Sequence, residues 1–163
     1  MIGGRAFESL ATEAEAAEVR KIIPKTLQGL IMGQPRGIRQ NNAGNIRPNR
    51  NYTWDGASGE NGGYLIFSDM RYGIRAMVKI LRNYTALHGI NTVRGIIYRW
   101  APPSDNNPTD AYVQHVAKAL DVGINEEINV NHYMAKLITV IAKHENGGDY
   151  LTPLQIAEGI AWA

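Results

Sequence analysis

The 163-residue sequence contains no cysteine, which excludes disulfide bonds and thiolate chemistry. It also lacks any run of the ~18 apolar residues that a membrane-spanning helix requires, so no membrane span is expected. Residues Met1–Arg5 show no apolar segment typical of a secretory signal, so we expect no signal peptide and another route of delivery to any target outside the cytoplasm. No internal repeat or low-complexity tract interrupts the chain, which indicates an ordinary globular protein.

Excess charge is nearly absent as well. The net charge is +2 at pH 7 and the isoelectric point is near 8.9. So small a basic excess suits an anionic polymer such as a bacterial cell wall, and we expect no nucleic-acid partner. DNA binding stays open as a third hypothesis because of a set of arginines: Arg36, Arg39, Arg47, Arg50 and Arg71.

Motifs for several common chemistries are missing. The four histidines lie on separate predicted elements without the spacing of metal ligands, so no metal is expected. Neither a phosphate-binding glycine loop nor a Gly-x-Ser-x-Gly elbow is present, and no organic cofactor is expected. Carboxylates are left as the best candidates for chemistry.

The pattern of apolar residues predicts a helical leader followed by a mainly helical domain. Residues 6–23 and Lys25–Met32 read as two helices of a leader, 1–36, that packs on the domain or docks to a partner. Residues 37–163 form the domain. Its first part, 37–68, predicts a small antiparallel sheet with strands at Asn45–Arg47, Tyr52–Trp54 and Tyr64–Phe67, and with glycines 56, 59, 62 and 63 in the turns.

Capping signals divide the rest of the chain into helices. Ser68 and Gly89 bound the first predicted helix, and Thr92 caps a second one that ends near Trp100. Residues 101–108 read as a loop. The remaining predicted helices are 109–123, 130–145 and one that starts at Thr152-Pro153 with Gln155 completing a capping box. The expected fold class is mainly α (α+β).

The stretch from Ile138 to Gly148 places a carboxylate at an unusual position. Apolar residues at helical spacing lead to Glu145, and Gly147 supplies the left-handed residue that closes a helix. The helix dipole disfavours a negative charge at this end, and partial burial would add to the effect, so the pKa of Glu145 should be raised. A protonated carboxyl near neutral pH suits a general acid. The alternative is a solvated glutamate in a capping turn.

An asparagine cluster and several aromatic residues are candidates for binding a sugar polymer. Asn41, Asn42 and Asn45 offer paired donors and acceptors suited to hydroxyl and N-acetyl groups, or else they satisfy local turns. Aromatic residues that could stack on sugars, or simply belong to the core, are Trp54, Tyr64, Trp100 and Tyr150.

Several of these stretches together resemble phage virion-associated, peptidoglycan-degrading proteins of the lysozyme-like superfamily. The resemblance covers roughly residues 36–163. It rests on Asn41–Ile46, Trp54–Gly56, Phe67, Tyr72–Ala76, Asn91–Ile97, Arg99–Pro103, Asn106-Asn107, His144–Gly148 and Tyr150. It implies a lysozyme-like domain with a cleft between the sheet and the helices.

One feature departs from that family. In lysozyme-like enzymes the acidic glutamate ends a helix that precedes the sheet, whereas the helix ending at Glu145 follows it. Either the order is circularly permuted or the acid lies elsewhere, with Glu8 and Glu60 as the next candidates. Circular permutation is feasible because domain termini often lie close together.

The resemblance implies cleavage of the β-1,4 glycan of peptidoglycan, by a lytic transglycosylase or a muramidase, with Glu145 as the single general acid. Substrate-binding residues would be Asn41, Asn42, Asn45, Trp54, Asn146 and Tyr150. Asp149 and Asp55 are the candidates for a second carboxylate. The implied location is the phage virion, among virion or tail proteins, with action in the host periplasm or cell wall. The alternative is a non-catalytic virion or wall-binding protein with the same fold.

Overall fold

Apolar residues at helical spacing form five helices of eight or more residues within residues 33–163, and these helices bury their apolar faces against one another. The computed structural model describes residues 33–163. In that part of the chain the elements are α1 (Arg36–Arg39), β1 (Ala57–Asn61), β2 (Tyr64–Phe67), α2 (Met70–His88), α3 (Val93–Trp100), α4 (Thr109–Leu120), α5 (Met134–Asn146) and α6 (Pro153–Ala161). The prediction of a mainly α fold with a small antiparallel sheet is confirmed.

The predicted leader falls almost entirely outside this part of the chain. The two predicted helices, 6–23 and Lys25–Met32, and the alternative acid Glu8 all lie outside the described residues. The expected domain boundary after residue 36 falls within α1, which packs against α5.

Local capping chemistry was the most accurate guide to the helix ends. Gly89 closes α2 in the left-handed conformation, with φ of 66°. The Thr92 hydroxyl accepts a hydrogen bond from the Gly95 N–H, and α6 begins with the predicted capping box between Thr152 and Gln155. The cap of α2 is Asp69 instead of the expected Ser68, because its carboxylate accepts from the Arg71 N–H at 2.8 Å.

The predicted strands at Asn45–Arg47 and Tyr52–Trp54 are wrong. The strand that pairs with β2 is Ala57–Asn61, a segment whose glycines indicated turns. β2 buries Leu65 and Phe67 in the core. Its backbone pairs antiparallel with the glycine-rich strand β1 and so keeps that strand in the sheet. The segment around Ile46 joins β2 through one backbone hydrogen bond, in which the Leu65 N–H donates to the Ile46 carbonyl at 3.0 Å.

Two helices are shorter than predicted. α4 ends at Leu120, where Asp121 takes a left-handed conformation, so the helix stops before Gly123. α5 begins at Met134 instead of Val130. Thr109 is the first residue of α4, and its hydroxyl donates to the Ala101 carbonyl at 2.7 Å instead of capping the helix.

α2 is the central helix of the core. Its residues Ile74, Met77 and Leu81 are fully buried, and α2 packs against α5 and α6. Gly159 of α6 lies so close to Ile74 that a β-carbon there would collide with that side chain. α2 therefore holds the C-terminal helices and the sheet together.

The loop 40–46 is tied to β2 by buried side-chain amides. Asn42 is completely buried, and its Nδ2 donates to the carbonyls of Ile46 and Leu65, both at 2.9 Å. Its Oδ1 accepts from the Ile46 N–H at 2.9 Å. Asn41 donates similarly to the Phe67 carbonyl at 3.0 Å. The Asn42 Oδ1 satisfies the buried Ile46 N–H. The carbonyls of Ile46 and Leu65 also accept from the Leu65 N–H and from Gln40 Nε2, respectively.

Replacement of Asn42 should therefore destabilise the fold. Asn42→Ala leaves the buried Ile46 N–H unsatisfied, and we expect a loss of about 1–3 kcal/mol in the free energy of unfolding. Chemical denaturation measures this loss. Asn83→Ala, at an exposed position of α2, is the matched control and should change stability by less than about 0.5 kcal/mol. Equal stability of the two variants would contradict this account of the loop.

Candidate active site

Glu145 lies in the last turn of α5, which ends at Gly147 in the left-handed conformation. Its carboxylate is held by two side chains from other parts of the chain. Asn45 Nδ2 donates to Oε1 at 3.3 Å, and the Tyr112 hydroxyl donates to Oε2 at 3.1 Å. The prediction placed Glu145 beside the asparagine-rich loop, and the contact with Asn45 brings these two segments together.

The pKa of Glu145 is raised above its ordinary value, as the sequence predicted. Burial is the main cause, because it disfavours the charged form. The hydrogen bonds from Asn45 and Tyr112 act in the opposite direction, since they stabilise the carboxylate. Burial outweighs these two donors, so the protonated form of Glu145 persists to a higher pH than in an exposed glutamate.

Tyr112 is the structural support of this carboxyl group. The side chain is 1% exposed, and burial, together with the neighbouring Glu145, raises its pKa far above the usual range. Its hydroxyl therefore stays protonated and remains a donor at any working pH. The His144 ring stacks on Tyr112 with the ring centroids 3.5 Å apart, so Tyr112 contacts both Glu145 and the residue before it.

A cleft of about 410 Å³ opens beside Glu145. Its walls come from the loop 44–47, from β2, and from α2, α3 and the segment after α3. The aromatic side chains of Tyr64, Tyr84 and Trp100 line the cleft together with polar residues. A β-carbon on Gly44 would lie 2.9 Å from the Trp100 ring, so the glycine allows the ring to pack against this loop.

Three predicted sugar-binding residues lie under this cleft. Asn41 and Asn42 direct their amides into the loop and β2, as described above. Asn146 is also buried, and its Nδ2 donates to the carbonyls of Ala43 at 2.9 Å and Ala142 at 2.8 Å. In this structure the three residues shape the loop that presents Asn45, the member of the predicted set that lines the cleft with Glu145.

Other candidates lie away from Glu145. Trp54 packs edge-on against Tyr52, and Tyr150 lines a small separate depression beside α1 and α5. The two candidates for a second carboxylate each pair with a cation: Asp55 with Arg75 at 2.9 Å and Asp149 with Lys143 at 3.4 Å. Glu60, the remaining alternative acid, is exposed on β1.

Several cleft residues were not predicted from the sequence. Tyr112 reads as one more apolar position of α4, and Arg99 as a solvated charge at the end of α3. Asp105, the second carboxylate on the cleft wall, follows a proline pair in a predicted loop. A pairing of Tyr112 with Glu145 could have been suspected because a buried tyrosine hydroxyl usually requires a partner.

Within residues 33–163 no group of three His, Asp or Glu side chains is arranged to hold a metal ion. The helices of this same part of the chain include none that is long and apolar enough to cross a membrane.

The chain is similar to Protein P5 of Pseudoalteromonas phage PM2. The two sequences are 33% identical over 135 aligned residues, which cover 78% of this chain and 81% of that protein. No protein-family model matches the chain. The relative is a bacteriophage protein, so the expected link to bacteriophages is confirmed.

The role of Tyr112 can be tested by titration. Tyr112→Phe removes the hydroxyl that stabilises the carboxylate but keeps the packing, so we expect the pKa of Glu145 to move further upward. Carboxyl ¹³C NMR measures this pKa, with Glu145→Gln identifying the resonance. Tyr98→Phe is the control, because that hydroxyl donates to Asp110 at the surface. A downward or absent shift in Tyr112→Phe would contradict the proposed support.

Proposed function

Since the chain belongs to the family of Protein P5 of Pseudoalteromonas phage PM2, we propose that it is a phage-borne enzyme that cleaves the β-1,4 glycan strands of bacterial peptidoglycan. The observation that carries the proposal is Glu145, a partly buried carboxyl group with a raised pKa on the wall of an aromatic-lined cleft. A protonated carboxyl in such a cleft has the properties of a general acid for glycosidic bonds.

In the proposed reaction Glu145 donates its proton to the glycosidic oxygen as the bond from that oxygen to the anomeric carbon breaks. In a transglycosylase the 6-hydroxyl of the same sugar then attacks the anomeric carbon and closes an anhydro ring. The carboxylate of Glu145 takes the proton released by that hydroxyl, so the acid is regenerated. In a muramidase, water takes the place of the 6-hydroxyl.

Two neighbours orient the acid in this scheme. Asn45 and Tyr112 each donate to one carboxylate oxygen, which fixes the plane of the group. These donors also stabilise the carboxylate left behind after proton transfer, when the negative charge develops. Their opposing effect on the pKa keeps the acid strong enough to donate.

The cleft composition supports a single-acid mechanism. Among the described residues that line the cleft, Asp105 is the carboxylate besides Glu145. It is exposed on the loop after α3. Hydrolases commonly use a second carboxylate as base or nucleophile, whereas the anhydro-forming reaction does not require one. We therefore favour the transglycosylase reaction, with the muramidase as its alternative.

The phage relationship supports delivery with the virion. A particle-borne enzyme would reach the host periplasm or cell wall during entry, in company with other virion or tail proteins. A non-catalytic role in the virion is the second candidate. It is favoured by the hydrogen bonds that both carboxylate oxygens of Glu145 accept, because purely structural glutamates make the same kind of contact.

Substitution of the acid separates these candidates. Glu145→Gln should lower the rate of cell-wall clearing by about 10²–10⁴, because the amide cannot donate a carboxylic proton. The fold should persist, since Gln can accept from Asn45 and donate to the Tyr112 hydroxyl. Glu127→Gln, at an exposed position, is the matched control and should retain full activity. If the wild-type protein binds cell walls but does not clear them at any pH from about 5 to 8, the result favours the non-catalytic role.

The pH dependence follows from the raised pKa. Clearing should decline as the pH rises through the pKa of Glu145, because the acid must be protonated to act. Stability should fall over the same pH range. Because the pKa of Glu145 is raised in the folded state, the free energy of unfolding of the wild-type protein should decrease relative to that of Glu145→Gln as the pH rises through this pKa. Melting temperatures of the two proteins across this range, beside activity profiles, measure both effects. If the difference in melting temperature between the two proteins does not change with pH, the raised pKa of Glu145 is contradicted.

Product analysis identifies the reaction. Mass spectrometry of digested peptidoglycan should find anhydromuramyl ends for the transglycosylase. Reducing muramic acid ends would indicate a muramidase, and reducing glucosamine ends a glucosaminidase.

A further inference from the structure

Two arginines line the cleft without a carboxylate partner in the described part of the chain. Arg47 follows the loop that presents Asn45, and Arg99 lies in the last turn of α3. The ion pairs among residues 33–163 involve other cations, namely Arg71, Arg75 and Lys143. Both cleft arginines are exposed, so a ligand can reach their guanidinium groups.

Aromatic residues position both guanidinium groups. The Arg47 guanidinium lies 5.2 Å from the Tyr64 ring centroid, and that of Arg99 lies 5.8 Å from the Tyr84 ring centroid. One amino group of Arg99 also contacts His88 Nε2 at 3.2 Å. Each arginine therefore has neighbours that restrict its side chain while leaving other N–H groups available.

The aromatic neighbours do not neutralise these charges. Burial raises the pKa of Tyr84 to about 12, so its hydroxyl is neutral beside Arg99. Two acidic groups lie on the cleft wall within residues 33–163. Glu145 is uncharged when it acts as an acid, which leaves Asp105 as the negative charge in this part of the chain. A cleft with two arginines and one carboxylate has a net positive charge, and it would be expected to attract an anionic ligand.

We propose that Arg47 and Arg99 form an anion subsite that selects glycans with carboxylate-bearing substituents over neutral glycans. This inference rests on the proposed function and specifies its substrate. In peptidoglycan such carboxylates are found on the lactyl group of muramic acid or on the peptide attached to it. A guanidinium group suits either one, because its N–H groups match the two oxygens of a carboxylate.

The test uses full-length protein with the Glu145→Gln substitution, so that ligands are bound and not cut. Calorimetry compares three N-acetylated tetrasaccharides: neutral chitotetraose, alternating N-acetylglucosamine–N-acetylmuramic acid with free lactyl carboxylates, and the same chain with peptide stems. We expect at least one carboxylate-bearing ligand to bind about 5–10-fold tighter than chitotetraose at ~50 mM salt, with the preference shrinking as salt is added. The two carboxylate ligands distinguish the lactyl group from the peptide as the source.

Substitutions of the two arginines test whether they cause the preference for carboxylate-bearing ligands. Arg47→Gln and Arg99→Gln should each reduce the preference for the carboxylate ligands over chitotetraose about 3-fold. Arg94→Gln is the matched control, because it makes the same change of charge at an exposed position of α3 that does not line the cleft. Melting temperatures of all variants establish that they are folded.

The outcomes separate the subsite from the enzyme. If chitotetraose binds as tightly as the carboxylate ligands, or if the Arg94 variant loses the preference equally, the subsite is overturned. Cell-wall clearing that depends on Glu145 can persist in that case, and the proposed function then stands without the subsite. If the arginine-dependent preference is found in a protein that never clears cell walls, the subsite stands and the enzymatic proposal fails.

Discussion

The cleft depends on the contact between the loop 43–45 and the C-terminal end of α5. Asn146 Nδ2 donates to the Ala43 carbonyl, and Asn45 Nδ2 donates to Glu145, so two amides join segments separated by 100 residues of sequence. A carboxyl group at a helix end would ordinarily turn towards solvent, because the dipole and burial both disfavour its charge there. This contact keeps Glu145 at the cleft wall, and Tyr112 completes its environment from α4.

The helices were predictable because their signals are local. Gly89, Thr92 and the Thr152–Gln155 pair act within a single turn, and a cap satisfies backbone groups no further than three or four residues away. Glu145 could be singled out for the same reason, since its position beside Gly147 is readable from the sequence. The direction of its pKa shift followed from that position, although the main cause is burial, which is a property of the folded chain.

The partners of Glu145 were harder to predict because they come from distant segments. Nothing around Tyr112 distinguishes a hydroxyl aimed at a carboxylate from one more apolar position of an amphipathic helix. The asparagine cluster left two interpretations open, sugar binding or satisfaction of local backbone groups. For Asn42 the structure agrees with the second, because its amide is buried and pairs with the backbone of Ile46 and of β2. β1 was missed since its pairing is set by β2 and not by its own glycine-rich composition.

The position of Glu145 after the sheet, instead of before it, is compatible with the proposal that it acts as a general acid. The pKa of a carboxyl group depends on burial and on the donors and charges around it, and none of these depends on the order in which the chain visits them. Glu145 contacts the loop through Asn45 and α4 through Tyr112, and it also lines the cleft. The proposed general acid requires this spatial arrangement and not a particular order of elements, and the arrangement depends on the contact between the loop and the end of α5.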